Sequence, residues 1–218
     1  MVRRSLALSS LLLLALDAGC QSDIASPFLA GLQPVEAVTV PPPAATPTDP
    51  HPEVFNTTNG RMDAWEWAQG TGYVHASVTA VYAALRDPAV TADRRKISSF
   101  TATQDVAPLY PHSYLVHNVI HDVVTVEFDE EWHLGPLEGT DSAPTVVTAR
   151  YQKVMGTSFI SLMEGDIVAR SVDANTTRIE MMRHVQSIGN GAADEDLYEH
   201  DVFDSLVAQV HGRPLPSY

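Results

Sequence analysis

Two charged side chains stand on otherwise apolar faces. Alternate residues of a strand share a face. Over 122–132, Val124, Val126, Phe128, Glu130 and Trp132 form one face, against Val123, Thr125, Glu127, Asp129 and Glu131. The first set is the inward face and carries one carboxylate, Glu130. Over 176–187, Thr177, Ile179, Met181, Arg183 and Val185 oppose Arg178, Glu180, Met182, His184 and Gln186. The inward set again carries one charge, Arg183. Glu130 and Arg183 either pair, or each addresses a polar ligand group inside a cavity. The alternative is that each lies at an open rim, or that a bulge reverses the register. Trp65, Trp67, Tyr73, Trp132 and Tyr151 are walls for such a cavity, or plain core.

Other chemistry is poorly supported. His117 and His121 are four apart, with Asn118 where a zinc protease has Glu. That motif needs a helix to bring both rings together. This segment reads as strand, where the two stand roughly 13 Å apart, so no metal is expected. Asp194, Glu195 and Asp196 fall in the first turn of a helix, where carboxylates complement the helix dipole. No Gly-x-Ser-x-Gly elbow, phosphate loop or dinucleotide fingerprint occurs. Catalytic residues and cofactors are not assigned.

The one cysteine, Cys20, follows Ala18-Gly19, a 5–16 apolar stretch, and Arg3-Arg4. This order is that of a secretory signal, and it resembles the lipobox of bacterial lipoproteins, whose acylated cysteine becomes the mature N-terminus. Asp17 stands where the lipobox prefers Leu. The competing reading is an ordinary signal with an accidental cysteine. The resemblance implies a signal peptide over 1–19, lipidation of Cys20 and a membrane partner through it. Gln21, rather than Asp, follows the cysteine, which by the same resemblance implies the outer membrane of a Gram-negative cell.

The chain has 218 residues, 44% apolar and 18% charged, with 13 Lys and Arg against 27 Asp and Glu. That composition folds. A net charge of −14 repels phosphate backbones and argues against nucleic acid. Eight of fifteen prolines lie in 21–52 without a periodic apolar face, so 20–52 reads as a disordered tether. The folded domain is 53–218.

Within it, 65–75 reads as a first strand, bulged at Gly70 and Gly72. Ser77 caps a helix through Arg86, stopped by Asp87-Pro88, and Pro88 opens a second short helix. Strands are expected over 96–103, 113–121, 122–132, 146–154, 159–172 (interrupted near Gly165) and 176–187, with a loop at 135–141. The chain closes on a helix over 192–211, whose stripe is Tyr198, Val202, Phe203, Leu206, Val207 and Val210. This is α+β: a curved antiparallel sheet whose apolar face needs the last helix as its cover.

The order, with His75 to Pro88, Val126 to Trp132, Asp173 to Met181 and Phe203 to Gly212, resembles the helix-grip fold of the START-like (SRPBCC) superfamily. Tyr82 replaces the commoner Trp of its opening motif. The resemblance implies a sheet wrapped around a long C-terminal helix, two short helices after the first strand, and a tunnel for an apolar small molecule or lipid. The expected lining residues are Trp65, Trp67, Phe128, Glu130, Trp132, Tyr151, Ile179, Met181, Arg183, Phe203 and Leu206. Three functions fit: an envelope-anchored binding or carrier module without chemistry, a cyclase or aromatase on the same scaffold, or an interaction lipoprotein without a cavity. The absence of a nucleophile–base pair favours the first.

Overall fold

The computed structural model describes residues 25–28, 30–189 and 191–218. The signal peptide expected over 1–19 and Cys20 lie outside the described residues. The elements are β1 (Phe55–Met62), β2 (Trp65–Val74), α1 (Val78–Leu85), α2 (Pro88–Thr91), β3 (Ser99–Gln104), β4 (His112–His121), β5 (Thr125–Thr140), β6 (Ala143–Gly156), β7 (Ile160–Ser171), β8 (Thr177–Ser187) and α3 (Ala192–Val210). The strands form one antiparallel sheet in the order β1-β2-β8-β7-β6-β5-β4-β3. This is the helix-grip architecture.

Local chemistry sets the short helices. The Ser77 hydroxyl accepts from the Ala80 N–H at 3.2 Å, and the Asp87 carboxylate accepts from the Ala89 N–H at 2.9 Å. Both are N-caps that satisfy donors a helix start leaves open. The α3 stripe is buried at Tyr198, Val202, Phe203 and Leu206. Phe203 stacks on Phe55 of β1 at 4.8 Å between ring centroids.

Several expectations are corrected. The first strand is the second, because β1 precedes it. β1 is an edge strand of mostly polar residues, Asn-Thr-Thr-Asn-Gly after Phe55, and shows no apolar alternation. Gly70 and Gly72 do not bulge the ladder, which runs unbroken between β1 and β2. They make room: a Cβ at either would collide with the Phe55 ring, and one at Gly72 also with Phe203. Gly165 does not interrupt β7. A Cβ there would collide with the Tyr151 hydroxyl and the Met182 carbonyl, so the glycine seats Tyr151. The loop expected at 135–141 is mostly strand. β4 pairs with β5 only as far as Leu134, so Pro136 loses no partner there, and a register shift at Pro136/Glu138 absorbs it.

The free tether expected over 20–52 is also corrected for its described part. Residues 25–28 and 30–43 cross the outer face of the sheet as a strap, from β5 to β1. Phe28 lies on His133 of β5 at 4.0 Å between centroids. The Ser26 N–H donates to the Val154 carbonyl of β6 at 2.9 Å, and Gln152 of β6 donates to the Pro27 carbonyl at 3.1 Å. The Val35 N–H donates to Asp166 Oδ2 of β7 at 2.6 Å. Glu36 faces His184 of β8 at 3.6 Å. The Thr39 N–H donates to Gln69 of β2 at 2.7 Å, and Asn56 of β1 donates to the Pro41 carbonyl at 3.1 Å. Proline removes donors but leaves carbonyls, and the sheet's side chains use them.

Candidate functional site

The inner face of the sheet, α3 and the loop after α2 enclose a cavity of about 510 Å³. That is the size of a small-molecule site. Ile97, Ile120, Val126, Phe128, Ile160 and Met163 form its apolar wall, and Asp93, Arg95, Lys96, His121 and Asp122 share the lining. Its mouth lies between the β4–β5 turn at Val123 and Val124, Phe159 at the β6–β7 turn, and Ser187 to Gly189. The deep end holds Glu130, Arg183 and Tyr198.

Alternation along two strands brings Glu130 and Arg183 inward, and both are buried. They do not form the expected pair. Arg183 donates from Nε to Glu195 Oε2 at 2.5 Å and from Nη1 to the Tyr151 hydroxyl at 3.1 Å. Its guanidinium lies 3.8 Å over the Tyr198 ring, a cation–π contact. Glu130 instead accepts from Asn118 Nδ2 at 2.9 Å. Burial pushes the Glu130 carboxyl up to about 7, against the opposing pull of Arg183 and the Asn118 hydrogen bond. At neutral pH this group is therefore shared between its acid and its carboxylate.

Glu195 corrects the reading of the acidic trio. Asp194 does what a first-turn carboxylate does, accepting from the Gly191 N–H at 3.0 Å and meeting Lys96 at 2.9 Å. Glu195 points inward and is 1% exposed. Sequence reasoning missed it because a helix-start acid has an ordinary explanation. Its i+3 and i+7 partners Tyr198 and Val202 were the available signal. Glu199, one turn on, is equally buried, and neither oxygen has a hydrogen-bond partner among the described residues. Burial holds its carboxyl well above the ordinary range.

Phe128, with Glu130 and Arg183, borders the cavity. Trp132, Tyr151, Ile179, Met181, Phe203 and Leu206 belong to the packed core around it. Trp132 stacks between Tyr114 at 5.6 Å and Tyr151 at 4.3 Å. Trp65 and Trp67 are not cavity walls. They alternate with Ala68, Gly70 and Gly72, which face α3, so both indoles lie on the outer face. Trp65 meets His184 there at 5.6 Å. His117 pairs with Asp129 at 2.7 Å, and His121 meets Thr125 at 3.3 Å.

No family model matches the sequence, and no curated protein is detectably similar to it. Solved structures do match. The STAR-related lipid transfer protein from Xanthomonas axonopodis is 14% identical with a TM-score of 0.51, over 72% of this chain and 93% of that one. The human StarD13 lipid transfer and protein localization domain is 9% identical, TM-score 0.49, over 72% and 83%. The Zhui aromatase/cyclase from a Streptomyces species is 12% identical, TM-score 0.44, over 68% and 92%. At these identities the likeness is one of fold: the chain has the helix-grip fold found in START-type domains.

Proposed function

We propose that this is an envelope lipoprotein whose domain binds or carries an apolar small molecule or lipid in its internal cavity, without chemistry. The carrying observation is the apolar cavity of about 510 Å³ that ends on Glu130, Arg183 and Tyr198. Apolar walls favour a hydrocarbon body by removing it from water. The deep end offers one group, Glu130, that donates as an acid and accepts as a carboxylate. The cavity also argues against the interaction protein with a filled core. Acylation of Cys20 and residence at the outer membrane of a Gram-negative cell remain part of the proposal, carried by the order Arg3-Arg4, apolar stretch, Ala18-Gly19-Cys20.

Native mass spectrometry with lipid extraction tests the cavity. The full chain purified from a Gram-negative host is expected to carry a small apolar molecule. Protein that emerges empty, and stays empty after incubation with that host's extracted lipids, overturns the reading. A Cys20→Ser variant tests the anchor and is expected to leave the detergent phase.

A cyclase or aromatase is the second reading. The observation that favours it is Glu130 itself, a carboxyl near 7 inside an apolar cavity, where a general acid or base works best. Against it, Arg183 is engaged with Glu195 and with the Tyr151 hydroxyl, and among the described residues no nucleophile–base pair borders the cavity.

A further inference from the structure

We infer that the cavity mouth is held against the lipid bilayer by the N-terminal strap, with the exposed apolar residues around it as the contact. The inference rests on the proposed acylation of Cys20. A free proline-rich tether over 20–52 would reach on the order of 100 Å and leave the domain with no fixed orientation. The strap removes nearly all of that reach. Among the described residues its first anchoring bond is the Ser26 N–H to the Val154 carbonyl. Val154 is available because the β6–β7 ladder ends at Gln152. Six residue steps separate Cys20 from Ser26, so the acylated cysteine lies at most about 20 Å from that bond.

Val154 lies at the mouth end of the sheet. β6 runs out at Gly156 opposite Phe128, and the β6–β7 turn at Phe159 is part of the mouth. Ile188 N–H is bonded to the Phe159 carbonyl at 2.9 Å, and Thr157 N–H to the Glu127 carbonyl at 3.0 Å, which ties the rim into one unit. That rim exposes Val123 at 96%, Ile188 at 73% and Val124 at 48%, and Met155 beside it at 41%. Large apolar side chains this open, gathered at one end of a chain of net charge −14, mark a contact surface. The leash length selects the bilayer as the occupant, because the acyl chains and the rim start from the same end.

Charge agrees with a largely zwitterionic surface. The rim cations Arg95 and Lys96 are already joined to Asp201 and Asp194, and Asp93 and Asp122 stand beside them. An anionic membrane would gain little here.

The test uses the full-length acylated protein in vesicles of phosphatidylethanolamine with a minority of phosphatidylglycerol. Acylation occupies the one native cysteine, so Val123→Cys, Ile188→Cys and Ser142→Cys each supply one free thiol for an environment-sensitive fluorophore. Ser142 lies in the β5–β6 turn, at the opposite end of the sheet. Quenchers fixed on lipid acyl chains are expected to quench labels at 123 and 188 severalfold more than at 142. Iodide in the water is expected to do the reverse. Equal accessibility at the three sites in acylated protein overturns the orientation alone. The mass of the N-terminal peptide reads the anchor separately: an unmodified Cys20 overturns the lipoprotein reading and this inference with it. A label at 123 or 188 that is already shielded without vesicles, in proportion to protein concentration, shows contact between two copies and also overturns it.

Discussion

Arg183 on β8 gives its Nε–H to Glu195, in the first turn of α3, across 2.5 Å. Both side chains are almost fully buried, at 4% and 2% exposure. The bond joins the sheet to the start of the helix that covers it, while Glu130 accepts from Asn118 instead. The two buried carboxylates are therefore placed differently: Glu195 holds Arg183, and Glu130 faces the cavity.

The pair should behave as a buried ion pair. Glu195→Gln is expected to destabilise the domain by about 3–5 kcal/mol, because it leaves a buried guanidinium without its carboxylate. Arg183→Met combined with Glu195→Leu should recover most of the loss, since an apolar replacement of a buried pair is often neutral. Urea unfolding of wild type, Arg183→Met, Glu195→Leu and the double variant measures the coupling. Additive effects would show that the pair is not energetically joined.

Glu130 should make the domain less stable as pH rises. Its carboxyl is pushed up to about 7 in the folded chain from near 4.5 when unfolded. Between those values the folded state binds the extra proton. Its contribution to stability is complete below about 4.5 and is lost as pH rises to about 7. A difference of that size corresponds to about 3 kcal/mol. Asp166, also pushed up to about 7 by burial, acts in the same direction. Glu130→Gln keeps an acceptor for Asn118 and should flatten part of the slope between pH 5 and 7.5. Unchanged pH dependence in urea unfolding would refute the buried acid.

The strap should be clasped by its backbone. The Val35 N–H is a hydrogen-bond donor to the buried Asp166 carboxylate. Val35→Pro removes that donor. The expected cost is about 1–3 kcal/mol for a buried acceptor left short. Limited proteolysis should then cut within 25–43 sooner than in the native chain. Equal protection would mean that the clasp is not what holds the strap.

The parts of this arrangement that follow a simple period were legible. The stripe of α3, the alternation that turns Glu130 and Arg183 inward, and the caps at Ser77 and Asp87 all follow from residue type and spacing. The strap was not, because polyproline-like chain has no period and its contacts run through proline carbonyls. Trp65 and Trp67 misled because the inner face of β2 is built from Ala68, Gly70 and Gly72. There the large residues face out and the small ones admit Phe55 and Phe203. Glu195 was hidden by its position, since an acid at a helix start usually faces water.

Filling the cavity should remove the ligand without unfolding the domain. Val126 borders the cavity on the inward face of β5, opposite Ile120 of β4. It lies four residues before Glu130, about 13 Å along the strand, so it stands between the mouth and the deep end. Its side chain is only half-buried, which leaves room beyond its methyl groups. A Trp there would project into empty volume rather than into the packed stack of Tyr114, Trp132 and Tyr151. Val126→Trp is therefore expected to lower co-purified small molecule severalfold while urea unfolding stays within about 3 kcal/mol of wild type, the usual upper cost of a small-to-large change. Glu130→Leu gives the complementary outcome. It leaves the apolar walls intact and removes the carboxyl at the deep end, so the protein should keep a ligand load but shift to less polar molecules. Wild-type load and composition in both variants would place the bound molecule somewhere other than this cavity.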